Sequence, residues 1–196
     1  MATVTRDLQP TTRDRILDAA FEAVQVFGLS RITVEDVARR AKLSRQTVYR
    51  YFPSKDHVIL FLVAREEEKF IDGVRAAFSG REDPEEAFAL AVEFVLRYTH
   101  EHPLLDRLLA TDTETLLPYL TTRGLPLIIY AREALVELMG ARVPDVDQDE
   151  LRGILDVVCR AMISYMLTTS ERPTDSVARM MARTAVAPLT RRPTQT

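Results

Sequence analysis

Residues 87–99, AFALAVEFVLRYT, form an apolar run broken only at Glu93 and Arg97. Those two are four apart, so on a helix they share one narrow stripe. A helix that is apolar around most of its circumference has to be enclosed by other elements rather than lie on a surface. Apolar side chains recur at three- and four-residue spacing along the rest of the chain, and no stretch alternates as a strand does. The pattern predicts an all-α protein.

Punctuation divides the pattern into helices. Ile16, Leu17, Ala20, Phe21, Val24 and Phe27 make one buried stripe after Thr11 and Thr12, and Gly28 ends it in a left-handed cap. Thr33 stands before Val34, Val37, Ala38 and Ala41 with Asp36 three residues on, a capping box opening a short second helix. Lys42 and Leu43 turn the chain. Ser44 caps a third helix, which Pro53 bounds because the residue before a proline is pushed out of helical angles. A fourth helix starts near Ser54 and Asp56 and runs to Gly80, and the enclosed one extends from Pro84 to about His100. Further helices are expected at about 103–110, 113–122, 125–140, 148–171 and 175–188, with breaks near Pro103, Gly124, Gly140 and Pro173.

Charge is divided unevenly. Residues 1–55 carry ten Lys/Arg against six Asp/Glu, whereas residues 56–196 carry sixteen against twenty-three. A basic head on an acidic body suits a polyanion partner that meets the head alone. The third helix concentrates that character in KLSRQTVYRYFPSK, residues 42–55. At about 100° per residue, Val48 and Phe52 fall on one side and bury, which turns Gln46 and Arg50 outward. Arg45 and Tyr49 occupy one flank of the outward face, and Thr47 and Tyr51 the other. Arginine forks match guanine edges, amides match adenine, and hydroxyls match phosphates, so this face suits a DNA major groove.

The string ITVEDVARRAKLSRQTVYRYFPSK, preceded by ILDAAFEAVQVFG, resembles the helix-turn-helix signature of the tetracycline-repressor-like (TetR) family of bacterial transcription regulators. Gly28, Thr33 and the Thr-x-Tyr-x-Tyr-Phe string sit in the family's register over about residues 12–60. The resemblance implies a helix-turn-helix DNA-binding domain over residues 1–55 and a helical effector-binding and dimerisation domain over 56–196. It implies that Arg45, Gln46, Thr47, Tyr49, Arg50 and Tyr51 face DNA while Thr33 and Lys55 hold phosphates. Where the family usually has glycine in the turn this chain has Lys42, which is expected to adopt a left-handed conformation at a cost of about 1 kcal/mol and to add a phosphate contact. Arg6 and Arg13 are expected to add electrostatic contacts from near a loose N-terminal tail.

The resemblance further implies a small-molecule cavity in the body whose occupancy releases DNA. Wall candidates are Phe88, Val92, Val95 and Tyr98 on the enclosed helix, with Tyr130, Met162 and Tyr165 from its neighbours. These combine apolar surface with a few hydroxyls, so an apolar or amphipathic effector fits them. The helices at about 148–171 and 175–188 carry more apolar and small side chains than a thin body can bury, including Met162, Met166, Met180 and Met181. In the resembling family such a pair forms a four-helix bundle with its mate. A homodimer also suits the short reading helix, because two-fold symmetry doubles the site into a palindrome with half-sites about 34 Å apart. The alternative reading is a DNA-bound scaffold of the same fold whose body binds a partner protein.

Other signals point to no further chemistry. His100 and His102 diverge on a helix and suit its C-terminal end rather than a metal. Glu66, Glu67 and Glu68 read as a solvated face, and Asp145, Asp147, Asp149 and Glu150 as a cap rather than a calcium loop. Cys159 sits among apolar neighbours as inert core. No phosphate loop, nucleophile elbow or HExxH occurs, so no cofactor and no enzymatic activity are expected. The longest apolar stretch, Val58 to Ala64, is too short to cross a bilayer, and the expected compartment is the cytoplasm.

Overall fold

The computed structural model describes residues 11–111, 113–168 and 170–190; the expected N-terminal tail and Arg6 lie outside them. Among the described residues every regular element is a helix. The chain divides into two compact units, Met1–Glu67 and Glu68–Thr196.

The first unit begins with α1 (Thr12–Phe27), which opens on a capping box. Thr11 Oγ1 accepts the Asp14 N–H at 3.1 Å while Asp14 Oδ2 accepts the Thr11 N–H at 3.0 Å. Gly28 closes α1, its N–H donating to the Val24 carbonyl at 2.8 Å. Its φ of 80° is positive as expected, but its ψ of 162° takes the chain straight out instead of into a left-handed turn. The second helix, α2 (Val34–Ala41), repeats the box, Thr33 Oγ1 accepting the Asp36 N–H at 3.1 Å. Lys42 then adopts left-handed angles, φ 54° and ψ 46°, the expected non-glycine turn. Leu43 N–H reaches the Ala38 carbonyl at 2.9 Å across that turn. The third helix, α3 (Arg45–Tyr51), follows immediately, capped by Ser44 Oγ accepting the Thr47 N–H at 3.1 Å.

Ile16, Ala20, Val24, Val37, Val48 and Phe52 fill the core beneath these helices, joined by Val58 and Leu62 from α4 (Lys55–Phe78). The Phe52 and Phe61 rings lie 5.6 Å apart, and the Arg13 guanidinium sits 4.3 Å above Phe61. That contact occupies Arg13 within the unit. Arg65 Nη1 on α4 donates to Asp18 Oδ1 on α1 at 2.8 Å. Glu66 is buried and accepts from Arg65 Nε at 3.3 Å, which corrects the expectation of a solvated acidic face at that position. Glu67 and Glu68 are exposed as expected. Triplets of like charge look alike in sequence, but a helix turns inward whichever member falls on the packed side, here the first.

The second unit holds the end of α4, then α5 (Pro84–Glu101), α6 (Pro103–Thr111), α7 (Thr113–Leu120), α8 (Leu125–Gly140), α9 (Gln148–Leu167) and α10 (Thr174–Thr190). The enclosed helix is α5, which buries Ala87, Phe88, Ala91, Val92, Val95 and Leu96. It packs against α10 and α9, and α8 packs against α9. Arg142 Nη2 satisfies the terminal Phe78 carbonyl of α4 at 2.6 Å while its guanidinium lies 5.0 Å over the Phe78 ring. Asp147 caps α9, accepting the Asp149 and Glu150 N–H groups, as the acidic run predicts. No helix among the described residues is long and apolar enough to cross a membrane.

Candidate nucleic-acid interface

The geometry of α3 follows from its two anchors. Val48 and Phe52 are 0% exposed, so seven residues of helix are held from one edge. Arg45, Gln46, Tyr49, Arg50 and Tyr51 are exposed, with the tyrosines at 49% and 41%. Thr47 is half-buried, its hydroxyl 2.9 Å from that of Ser44. The Arg50 guanidinium lies 5.5 Å over the Tyr51 ring, a stacking that pre-orders its planar fork. One face therefore presents an amide, two guanidiniums and two phenols, the donor set that base edges and phosphates require.

The flanking residues are engaged within the protein. Thr33 is exposed, but its hydroxyl donates to Asp36 Oδ2 and accepts the Asp36 N–H. That hydrogen bond is the first cause holding the Asp36 carboxyl below its ordinary value. Lys55 Nζ, at the first residue of α4, donates to the Ser30 carbonyl at 2.8 Å. Lys42 is exposed beside the start of α3. Spacing did not single out Glu35, whose carboxylate forms an ion pair with Arg45. A signal was present in the sequence: α3 opens on a cation and has no acidic residue in its first turn.

In the second unit, Phe88, Val92, Val95 and Met162 belong to the buried core, whereas Tyr98 and Tyr165 are half-buried. Tyr130 is 53% exposed on α8. Tyr98 stacks on His102, 4.6 Å away, and meets the tilted rings of Phe94 at 5.5 Å and Phe70 at 5.2 Å. An open recess of about 330 Å³ lies next to this series, lined by Ala76, Ala77, Leu90 and Phe94 and rimmed by Arg81, Glu93 and Arg97. The recess involves none of the seven wall candidates, because it forms on the outer side of α5 while most of those candidates face inward. Cys159 is buried and its thiol is pushed up to about 11, desolvation being the main cause, so it stays protonated and unreactive at neutral pH.

Residues 16–60 match the family described as bacterial regulatory proteins, tetR family, and residues 83–187 match the bacterial tetracyclin repressor C-terminal domain. The chain belongs to the TetR family. Its described residues are all helical in regular structure, with the N-terminal helix-turn-helix and C-terminal helical domain of these transcriptional regulators, and it spans about half the length of KstR. It is 37% identical over 97 residues to the transcriptional repressor KstR of Rhodococcus jostii, an alignment covering 50% of this chain and 45% of KstR. To the transcriptional regulator AlkX of Mycobacterium tuberculosis it is 28% identical over 168 residues, 85% of this chain and 80% of AlkX. The crystal structure of the TetR family repressor AlkX from Dietzia sp., implicated in biodegradation of n-alkanes, superposes with a TM-score of 0.62 at 26% identity. That superposition covers 89% of this chain and 94% of the Dietzia protein.

Proposed function

We propose that this TetR-family member is a ligand-responsive repressor that binds a palindromic operator as a homodimer and is released by an apolar or amphipathic small molecule in the cytoplasm. The observation that carries the DNA-reading part is the exposure of Gln46 and Arg50 on a helix whose Val48 and Phe52 are wholly buried. In this reading Arg45, Gln46 and Arg50 meet base edges. Thr47, Tyr49, Tyr51, Thr33, Lys42 and Lys55 meet phosphates, and Lys55 exchanges the Ser30 carbonyl for a phosphate oxygen. Residues 1–55 act as the reading domain and 56–196 as the effector and dimerisation domain.

Dimerisation through α9 and α10 is supported by what those helices leave uncovered. Val157 is 67% exposed and Met180 is exposed, and a side chain built on Gly153 meets nothing within 4 Å. Two-fold pairing buries such a face, as symmetric interfaces generally do. An apolar effector is supported by the core and aromatic residues of α5 and by the likeness to AlkX, whose Dietzia counterpart is implicated in alkane degradation.

Selection of bound fragments from random duplex DNA, followed by sedimentation of protein alone and in complex, tests this reading. The expected product is an inverted repeat with half-site centres about 34 Å, or a multiple of it, apart, bound by two chains. An asymmetric half-site occupied by a single 22.3 kDa species contradicts it. Release of the selected operator by alkanes, fatty acids or sterols tests the effector class.

A further inference from the structure

We propose, on the reading that Arg50 meets a base edge, that Tyr51 is its positioning residue: the ring sets the direction of the Arg50 guanidinium and so strengthens preference at the base pair Arg50 reads. This task is separate from any hydrogen bond of the Tyr51 hydroxyl. The Arg50 guanidinium lies 5.5 Å from the centroid of the Tyr51 ring, within the range at which a cation is drawn to an aromatic face. Adjacent residues on a helix point about 100° apart and do not ordinarily meet. The length of the arginine stem is what brings the fork back over the ring.

The polar ends of both side chains are uncommitted. Among the described residues Arg50 has no carboxylate or carbonyl partner, so its five donors are available to a base. The Tyr51 hydroxyl has no protein partner among them either, and both residues are exposed. Their backbone, in contrast, is held on both sides. Val48 and Phe52 are wholly buried, and the Phe52 N–H donates to the Val48 carbonyl at 2.9 Å, closing the turn that carries Arg50 and Tyr51. Arg50 also stands in the last turn of α3, where the helix dipole favours a cation. The ring is thus carried by an anchored turn, and the guanidinium resting on it takes its direction from there.

The consequence for recognition follows from the shape of arginine. A guanidinium free to rotate can follow acceptors wherever they lie, turning to a neighbouring base or a phosphate when guanine is replaced. A planar fork stacked on a ring keeps its edge donors open while its face is covered, so it can meet guanine O6 and N7 without leaving the ring. To reach an acceptor elsewhere it must give up the aromatic contact. The stacking is therefore added to the difference between right and wrong base pairs rather than to affinity at large, a gain of roughly two- to fivefold for an exposed contact of this kind.

The test uses the full-length protein and the operator obtained by selection, with each base pair substituted in turn. Arg50→Ala identifies the pair that Arg50 reads, where the wild type is expected to prefer guanine by roughly 5- to 150-fold. Tyr51→Phe and Tyr51→Leu both remove the hydroxyl, so the difference between them reports the ring alone. Tyr51→Phe is expected to weaken binding to all sequences alike, as loss of a phosphate contact does, and to keep the wild-type preference at the Arg50 pair. Tyr51→Leu is expected to show the same general weakening and, at that pair alone, a preference lower by roughly two- to fivefold. If Arg50→Ala weakens all operator variants equally, base reading by Arg50 is wrong and the proposal falls with it. If Arg50→Ala is position-specific while the Phe and Leu variants discriminate alike, or Tyr51→Leu lowers preference at every pair, the ring has no positioning role and only this proposal falls. Circular dichroism of each variant is expected to match wild type, and Tyr51→Met supplies a second variant without the ring should leucine disturb α3.

Discussion

Arg15 Nη2 on α1 donates to the Ala41 carbonyl at the end of α2 at 2.9 Å. Ala41 is the last residue of α2 and immediately precedes the Lys42 turn that launches α3. A terminal helix carbonyl has no partner within its own helix, so this contact both satisfies it and fixes where the turn begins. Arg15→Ala is expected to destabilise the first unit by about 1–3 kcal/mol, as loss of a charged donor to a part-buried acceptor does. Urea denaturation measures this. DNA affinity is expected to fall more for the specific site than for random duplexes, because a shifted α3 misplaces its base-reading side chains while the general attraction to phosphates persists.

Lys42 carries two opposed effects in one side chain. Its left-handed backbone costs about 1 kcal/mol for a residue with a Cβ, while its exposed ammonium favours phosphate. Lys42→Gly is expected to raise stability by up to about 1 kcal/mol, less the extra entropy glycine gives the unfolded chain. It is expected to weaken DNA binding and flatten the slope of log affinity against log salt by about 0.9, the value for one lost phosphate contact. Thermal denaturation and a salt titration read the two effects separately.

Gly73 on α4 gives the Phe94 ring of α5 its place, because a Cβ there would overlap the ring. Gly73→Ala is expected to displace Phe94 and with it the tilted ring contacts to Phe70 and Tyr98, at about 1–3 kcal/mol of overpacking. Since Phe94 also lines the 330 Å³ recess, the substitution is expected to alter any ligand response more than DNA binding by the ligand-free protein. Calorimetry and operator release measure the two.

The capping box at Thr33 predicts an acid response. Its hydroxyl, then its backbone N–H, hold the Asp36 carboxyl below the ordinary 3.8. A group whose folded value is depressed contributes stability above its unfolded value and loses it as pH falls through the folded one. The loss is expected below about pH 4, and Asp36→Asn is expected to show a smaller fall in stability than wild type between about pH 5 and about pH 3. Denaturant midpoints at the two pH values decide it.

Local signals made much of this molecule readable before any coordinates. Threonine, serine and aspartate caps mark where α1, α2, α3 and α9 start, and the mostly apolar circumference of α5 required enclosure. Even the left-handed turn at Lys42 was legible, as the departure from a glycine. These features depend on neighbours within about one helical turn, so one-dimensional spacing records them.

What depended on distant partners was not legible. Glu66 differs from Glu67 and Glu68 only in which way α4 turns it, and Glu35 differs from Asp36 only in what lies across from it. The Phe94 ring has room over α4 because Gly73, twenty-one residues earlier, has no side chain. By itself the sequence determined the helices, most of their caps and the exposed polar face of α3, because hydrogen bonding and periodicity act locally. Tertiary structure alone decided which charges pair, which is buried and where space remains, because those outcomes depend on close packing between segments far apart in the chain.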